Sequence, residues 1–328
     1  MTDYTSPRVR IQRIADPESM SSTLKSDARD GLTAKPKWLT SKHLYDAAGS
    51  ELFDLITVQP EYYPTRAERA LLDQYGEQII QRSGATTLVE LGSGSSEKTS
   101  ALLDPLTATA GGAAVYVPVD VSVSALIAAV GKLEQEYPDL TIHGLEADID
   151  QHLDLIPNDG TRLVGFLGGT IGNYRPAERH TFLSELAKNS NSGDTVLIGV
   201  DLIKDPQRLI RAYDDAAGVT AEFNINVLRV LNRGLGANFS LPRFQHVAAW
   251  NDEEHWIEMR LQAKERHVVD LGVLDIDVEF AKDEVIRTEV STKFTRELIE
   301  SEFVLAGLTP ADWWSDGDYA LALARKDA

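Results

Sequence analysis

The stretch TLVELGSGSSEKT, Thr87 to Thr99, runs from an apolar strand into a glycine turn and on into a helix. At the carboxyl end of a strand in an open α/β sheet, such a turn lets backbone approach a ligand closely. Its spacing sorts the ligands. A phosphate loop needs G-x-x-x-x-G-K-[ST], whereas Gly92 and Gly94 stand two apart. A dinucleotide turn prefers G-x-G-x-x-G, and here Glu97 holds the third place, a bulky anion where a pyrophosphate wants glycine. A nucleoside carrying a sulfonium and no phosphate tolerates acids. The chain supplies Glu90 at the end of the strand, Asp120 at the end of VYVPVD for ribose hydroxyls, and Asp148 in LEADI for an adenine amine. This set of strand-end acids favours S-adenosylmethionine. Each residue also has a plainer reading: glycine turns follow many strands, Asp120 can cap the next helix, and Asp148 can be a surface acid.

Other chemistries find little support. There are no cysteines, which removes disulfides, thiolate nucleophiles and cysteine zinc sites. The seven histidines are scattered, with no H-E-x-x-H pair, and no G-x-S-x-G elbow occurs. The Asp214–Asp215 pair in RAYDDAAG reads as a charged helix face more readily than as a metal site. The expectation is no metal. Lys plus Arg number 32 against 51 Asp plus Glu, a formal charge of -19 that disfavours nucleic acid and anionic membranes. No apolar run reaches the roughly 18 residues of a membrane span, and the first twenty residues lack an apolar signal core. A cytoplasmic protein is the expectation, and a monomer, since no long apolar helix stripe asks for a partner.

The elements that must position these residues follow from the hydrophobic rhythm. TRAERALLDQYGEQIIQRSG reads as a helix, with Leu71, Leu72, Tyr75, Ile79 and Ile80 at helical spacing. Then strands (TTLVELG, AAVYVPVDVS, LTIHGLEADI, RLVGFLGGTIGN, DTVLIGVDLI) alternate with helices (SSEKTSALLDPL, VSALIAAVGKLEQEYP, PAERHTFLSELAKNS). The strands are continuous apolar runs, as in a parallel sheet covered on both faces, so the rhythm predicts a doubly wound α/β sheet. After Asp205 the rhythm breaks. PQRLIRAYDDAAGVTAEFNINVLRVLNRGL reads as helical, and FQHVAAWNDEEHWIEMRLQAKERHVVDL as a strand pair turning at NDEEH. TRELIESEFVLAGL resumes as a helix, and PADWWSDGDYALALARK reads as a hairpin turning at SDGD. Residues 1 to about 30 read as a loose arm that becomes helical near SMSSTLKSDARDGL. The expected division is a core of 67–203 and 292–328 and a discontinuous α+β domain of 1–66 and 204–291.

The motifs LVELGSGSSEKT, FLGGTIGN, VDLIKD, RAYDDAAGVTAEFN and TEVSTKF resemble those of the histidine-specific Nα-methyltransferases of bacterial ergothioneine biosynthesis, and KHLYDAAGSELFDLITVQPEYYPTR is similar to that family's N-terminal segment. The resemblance runs from about residue 25 to the C-terminus. The glycine turn is generic, but EYYPTR, RAYDDAAGVT and EVSTKF are specific. The resemblance implies a seven-stranded, mostly parallel, Rossmann-like methyltransferase sheet with a separate substrate-binding domain. It implies S-adenosylmethionine as methyl donor and trimethylation of the α-amine of L-histidine to hercynine. The alternative is a methyltransferase of the same fold acting on another amino acid or small amine. More distant readings are a dinucleotide-dependent oxidoreductase and a non-catalytic cofactor-binding protein.

Carried over motif by motif, the resemblance places the methyl donor on Gly92, Lys98, Asp120, Asp148 and Ile149, with Tyr45, Phe53 and Gly168 completing that site. Ile149 stands where the family often has Phe. Histidine falls on Tyr62 of EYYP, Asn173 of TIGN, Tyr213 of RAYDD, Met259, and Glu289 with Ser291 of TEVS. Tyr62 and Asn173 take the catalytic roles, Asn173 orienting the amine; Tyr213 takes the carboxylate, Glu289 and Ser291 the imidazole. The residues alone leave plainer readings open: Tyr62 as packing, Asn173 as a turn residue, Tyr213 as core. Glu289 and Ser291 alternate about Val290, so they share one face of a strand, which by itself can be a solvent face.

Overall fold

The computed structural model describes residues 2–5, 8–14, 17–94, 96 and 98–327. Ser95 and Glu97, the latter the residue that argued against a dinucleotide, lie outside the described residues. The chain divides into two compact units: residues 1–16, 66–202 and 294–328, and residues 17–65 and 203–293.

The first unit is built on a nine-stranded sheet. Its order is Thr2–Thr5, Val9–Arg13, Thr141–Glu146, Val115–Asp120, Thr87–Leu91, Arg162–Phe166, Thr195–Asp201, Tyr319–Arg325 and Thr309–Ser315. The strands from Val9–Arg13 to Thr195–Asp201 run parallel, and Tyr319–Arg325 pairs antiparallel with Thr195–Asp201 and with Thr309–Ser315. Strand Thr87–Leu91 is buried at every position, as are Arg162–Phe166 and Thr195–Asp201. Both faces of these central strands are covered, which is why the sequence reads there as unbroken apolar runs. The last seven strands of the order make the doubly wound sheet that the alternation predicted.

The first two strands correct the sequence reading. The N-terminus was expected to be a loose arm joined to the second domain. Instead, Val9–Arg13 adds to the edge of the sheet, with Val9 opposite Ile142 and Ile11 opposite Gly144. Val9 and Ile11 bury their side chains while Arg10 and Gln12 stay exposed, the alternation of a strand with one covered face.

The second unit carries a four-stranded sheet in the order Lys37–Trp38, Val285–Thr292, Trp256–Ala263 and Phe244–Asn251. Helix Val219–Leu235 buries Phe223, Val227, Leu228, Leu231 and Leu235 at helical spacing, all in this unit's core. The run expected as one helix from Pro206 is two, Pro206–Ala212 and Val219–Leu235. The break has a local cause. Gly218 sits at φ 75°, and the Asp215 carboxylate accepts from the amides of Val219 (3.0 Å) and Thr220 (2.7 Å), starting a new helix there. Asp215 is thus a buried helix-capping acid, not part of a charged surface.

Candidate active site

In the first unit the glycine turn leaves strand Thr87–Leu91 and is fixed from both sides. The amides of Gly92 and Ser93 donate to the Val119 carbonyl at 2.8 and 3.1 Å. Asp120 ends the neighbouring strand, and its carboxylate accepts from the amides of Gly94 and Ser122, each at 2.8 Å. Burial raises the Asp120 pKa, and these backbone donors oppose the rise. Glu90 does not meet the turn from outside. It is buried beneath it, accepting from Thr99 Oγ1 (2.6 Å) and Tyr116 Oη (2.5 Å), and so ties the start of the following helix to the sheet.

The turn suits a ligand with a polar rim. Gly92 and Gly94 take φ of 68° and 51°, and the space where a Cβ would stand is open at both. The buried Ser93 Oγ has no hydrogen-bond partner among the described residues. Beyond the next parallel strand, Gly168 at φ 82° opens the turn that leads to Asn173, the last residue of the short helix Thr170–Asn173. Asp148 follows strand Thr141–Glu146 and accepts from the Asp150 amide and from Gln151 Nε2, each at 2.9 Å; Ile149 packs against the core beside it. Gly92, Asp120, Asp148 and Gly168 therefore all stand at carboxyl ends of parallel strands, where ligands of such sheets bind.

Lys98 exposes a residue the sequence reading missed. Its ammonium pairs with Glu68, which is fully buried. Glu68 also accepts from the Gly168 amide (2.6 Å) and from Tyr319 Oη (2.8 Å). One carboxylate thus holds two of the residues assigned to the methyl donor. The arrangement leaves no room for a side chain at Gly199, where a Cβ would come within 2.2 Å of Glu68 Oε1.

In the second unit, Tyr45, Phe53, Tyr62, Tyr213 and Phe223 form a ring cluster. Centroids are 5.4 Å apart for Tyr45–Phe53, 5.2 Å for Tyr45–Phe223, and 6.2 Å for both Phe53–Tyr62 and Tyr62–Tyr213. Tyr45 and Phe53, assigned by resemblance to the methyl donor, are thus packed among the residues assigned to histidine. The Tyr45 phenol is pushed above its ordinary value by burial and by the neighbouring Glu289, Tyr62 and Tyr213.

Strand Val285–Thr292 brings Glu289 and Ser291 to one buried face, not a solvent face. Met259 stands opposite Glu289 on the adjacent strand, and the register shifts by one immediately afterwards, Arg260 pairing with Arg287. Thr288 is the extra residue of this bulge. Its hydroxyl donates to Asn224 Oδ1 (2.5 Å) and to the Met259 carbonyl (3.0 Å), fixing the distortion next to Glu289. Glu289 Oε2 is buried with no hydrogen-bond partner among the described residues. Burial pushes its pKa up to about 8, against the pull of Lys293. Tyr213 Oη and Ser291 Oγ lie 2.8 Å apart. Lys293, also missed at the sequence level, is fully buried and donates to both, at 3.0 and 2.8 Å. Its signal was present: in TEVSTK the residues 289, 291 and 293 continue one alternation.

A doubly wound sheet with a glycine turn and a carboxylate at the adjacent strand end fits a class I, S-adenosylmethionine-dependent methyltransferase. The chain belongs to the histidine-specific, S-adenosylmethionine-dependent methyltransferase family, whose model matches residues 24–326. It is 50% identical over 94% of its length to the histidine N-alpha-methyltransferase of Mycolicibacterium smegmatis, covering 96% of that protein. It is 29% identical to an L-tryptophan methyltransferase of Psilocybe serbica, over 94% of this chain and 95% of that one. Ergothioneine biosynthesis protein 1 of Neurospora crassa is 30% identical over 97% of this chain, which spans 36% of that longer protein.

Proposed function

We propose that this methyltransferase converts L-histidine to hercynine by three successive methylations of the α-amine, the opening step of ergothioneine formation. The observation that carries the reading is the buried Glu289–Ser291 face, with one carboxylate oxygen unpaired among the described residues and a Tyr213 hydroxyl beside Ser291. A buried polar atom without a partner is costly unless a ligand supplies one, and an imidazole has two ring nitrogens to offer. Sites built to pair polar atoms reject analogues lacking them far more strongly than apolar pockets do.

S-adenosylmethionine supplies a methyl group already activated by its sulfonium. Gly92, Lys98, Asp120, Asp148, Ile149 and Gly168 are the residues of the first unit that would hold it. The task left to the other residues is to present a neutral amine and exclude water. Free α-ammonium is mostly protonated near neutrality, and a desolvated pocket lowers its pKa. Asn173 accepts a hydrogen bond from the amine through its side-chain carbonyl, and Tyr62 contacts the amine and its methylated forms. The rings of Tyr45, Phe53 and Tyr62 favour the growing cation by cation–π attraction, about 0.5–2 kcal/mol.

The test is mass spectrometry of L-histidine incubated with the enzyme and S-adenosylmethionine. Gains of one, two and three methyl groups are expected, and no gain overturns the reading. The likeness to an L-tryptophan methyltransferase motivates a second reading, another amino acid as acceptor. A panel of free amino acids in the same assay separates the two.

A further inference from the structure

Glu68 lies outside the residues assigned to either ligand, yet the first unit is built closely around it. It stands on helix Pro64–Ser83 with its side chain fully buried. A carboxylate taken out of water is tolerated only where charge and hydrogen bonds meet it. Here the two oxygens divide the task. Oε1 accepts from the Gly168 amide at 2.6 Å and from Tyr319 Oη at 2.8 Å. With Oε1 held from two directions, Oε2 has a set position, and it pairs with the Lys98 ammonium. The backbone gives way to this arrangement: a Cβ at Gly199 would come within 2.2 Å of Glu68 Oε1 and 2.6 Å of Tyr319 Oη.

The pair is one-sided. The Glu68 side chain is closed to solvent, whereas that of Lys98 is 24% exposed. The ammonium lies 3.9 Å from where a Cβ of Gly168 would stand. It therefore spans from the turn after Thr87–Leu91 to the turn after Arg162–Phe166, two neighbouring parallel strands whose carboxyl ends face a ligand. A lysine on its flexible four-carbon stem has no such place of its own. Among the residues assigned to the methyl donor, Lys98 is the one cation, and Asp120 and Asp148 are acids. The donor has one anionic group, the carboxylate of its amino-acid end. Asp120 and Asp148 repel it, and Lys98 attracts it.

We propose that Glu68 is a positioning residue for the amino-acid end of the methyl donor: it holds Lys98 in place beside Gly168 to receive the donor's carboxylate, and leaves the nucleoside end to Asp120 and Asp148. The proposal rests on the placement of the methyl donor given above. Fixing the ammonium before the ligand arrives removes ordering that binding would otherwise have to supply. Glu68 thus acts through Lys98, and a ligand with the nucleoside but no amino-acid end is blind to it.

The test is calorimetric binding of S-adenosylhomocysteine and of methylthioadenosine, which keeps the nucleoside and lacks the carboxylate. Glu68→Gln keeps the shape and an acceptor for the Gly168 amide but loses the charge that holds Lys98. It is expected to weaken S-adenosylhomocysteine about tenfold, the worth of a charge-assisted hydrogen bond, and methylthioadenosine less than about twofold. Lys98→Met should show the same split, and the double variant should bind S-adenosylhomocysteine no more weakly than Lys98→Met alone. A carboxylate that only supports the fold would weaken both ligands alike, and losses that add in the double variant would mean that Glu68 acts apart from Lys98; either result overturns the proposal. If the glutamine variant does not fold, Tyr319→Phe, which removes one of the two holds on Oε1, takes its place. S-adenosylhomocysteine weakened about threefold with methylthioadenosine unchanged supports the proposal, and an equal change in both overturns it. If neither ligand binds the unaltered protein, the placement of the methyl donor itself falls.

Discussion

Glu68 in the first unit and Glu289 in the second are both buried carboxylates next to a lysine, and they are treated oppositely. Glu68 accepts from the Gly168 amide and Tyr319 Oη and pairs with Lys98, so its charge is met within the chain. Glu90 and Asp120 follow the same rule, each bonded to groups of its own unit. Glu289 keeps an oxygen with no partner among the described residues. The first unit thus uses buried acids to stiffen the turns proposed to hold the methyl donor. The second leaves an acid unsatisfied among the described residues, where the proposed substrate would complete it. Buried polar groups are costly when unpaired, and that cost becomes selectivity when only one substrate removes it.

The largest effect expected from breaking this contrast is at Glu68. Glu68→Ala leaves a partly buried Lys98 and the Gly168 amide without their acceptor, and about 3 kcal/mol of stability should be lost. Urea unfolding measures it, and calorimetry with S-adenosylhomocysteine should show weakened binding as Lys98 and Gly168 lose their anchor. Unchanged stability and binding would mean that the carboxylate is not the anchor of these turns.

Glu289→Ala should leave stability nearly intact or improved, because it removes an unsatisfied group, while selectivity collapses. In a competition assay of free amino acids, the preference for L-histidine is expected to fall about 100-fold. A variant that discriminates as well as the parent would sink the imidazole assignment.

The same contrast explains what was legible in the sequence. The central strands could be read because both of their faces are apolar, and the glycine turn because its φ angles demand glycine. Val9–Arg13 could not, since two apolar residues in five become a strand only against Thr141–Glu146. Glu68 was illegible for a different reason. A charge on an amphipathic helix reads as a solvent face, and its partners lie 30, 100 and 251 residues away. Lys293 was within reach, because the alternation that joined Glu289 to Ser291 extends to it. The break at Asp215 was also within reach as turn chemistry, an acid shortly before a glycine and a new helix. The assignment of the substrate residues came from family likeness; burial and the Thr288 bulge describe the face on which Glu289 and Ser291 lie.

An effect that is smaller per pH unit, and sharper, comes from titration. Glu289 has its pKa raised from 4.5 to about 8 by burial. The folded state therefore holds a proton that the unfolded chain releases, and the linkage runs one way: the contribution is fully present below pH 4.5 and is lost as pH rises through about 8. Lys293 and Tyr45 interact with it electrostatically, and Tyr62 and Tyr213 interact in turn with Tyr45. Compared with Glu289→Gln, the parent should lose stability across this window by up to about 1.4 kcal/mol per pH unit. Parallel stability curves for the two proteins would show that Glu289 does not titrate there.

The smallest effect tests how rigidly the substrate side is built. Asp215 accepts from the Val219 and Thr220 amides at 3.0 and 2.7 Å, two residues after Tyr213. Asp215→Ala removes the cap and should cost about 1 kcal/mol, a melting shift of roughly 2 °C in a chain of this size. Tyr213 should keep its place, because His246 Nε2 bonds its backbone carbonyl at 2.8 Å, and Asn224 holds the other ring nitrogen at 2.8 Å. Burial keeps the His246 pKa low, so this support stays neutral through the physiological range. L-histidine binding should therefore change by less than about twofold. A loss as large as that of Glu289→Ala would mean that the helix cap, and not the imidazole pair of His246 and Asn224, sets the position of the Tyr213 hydroxyl.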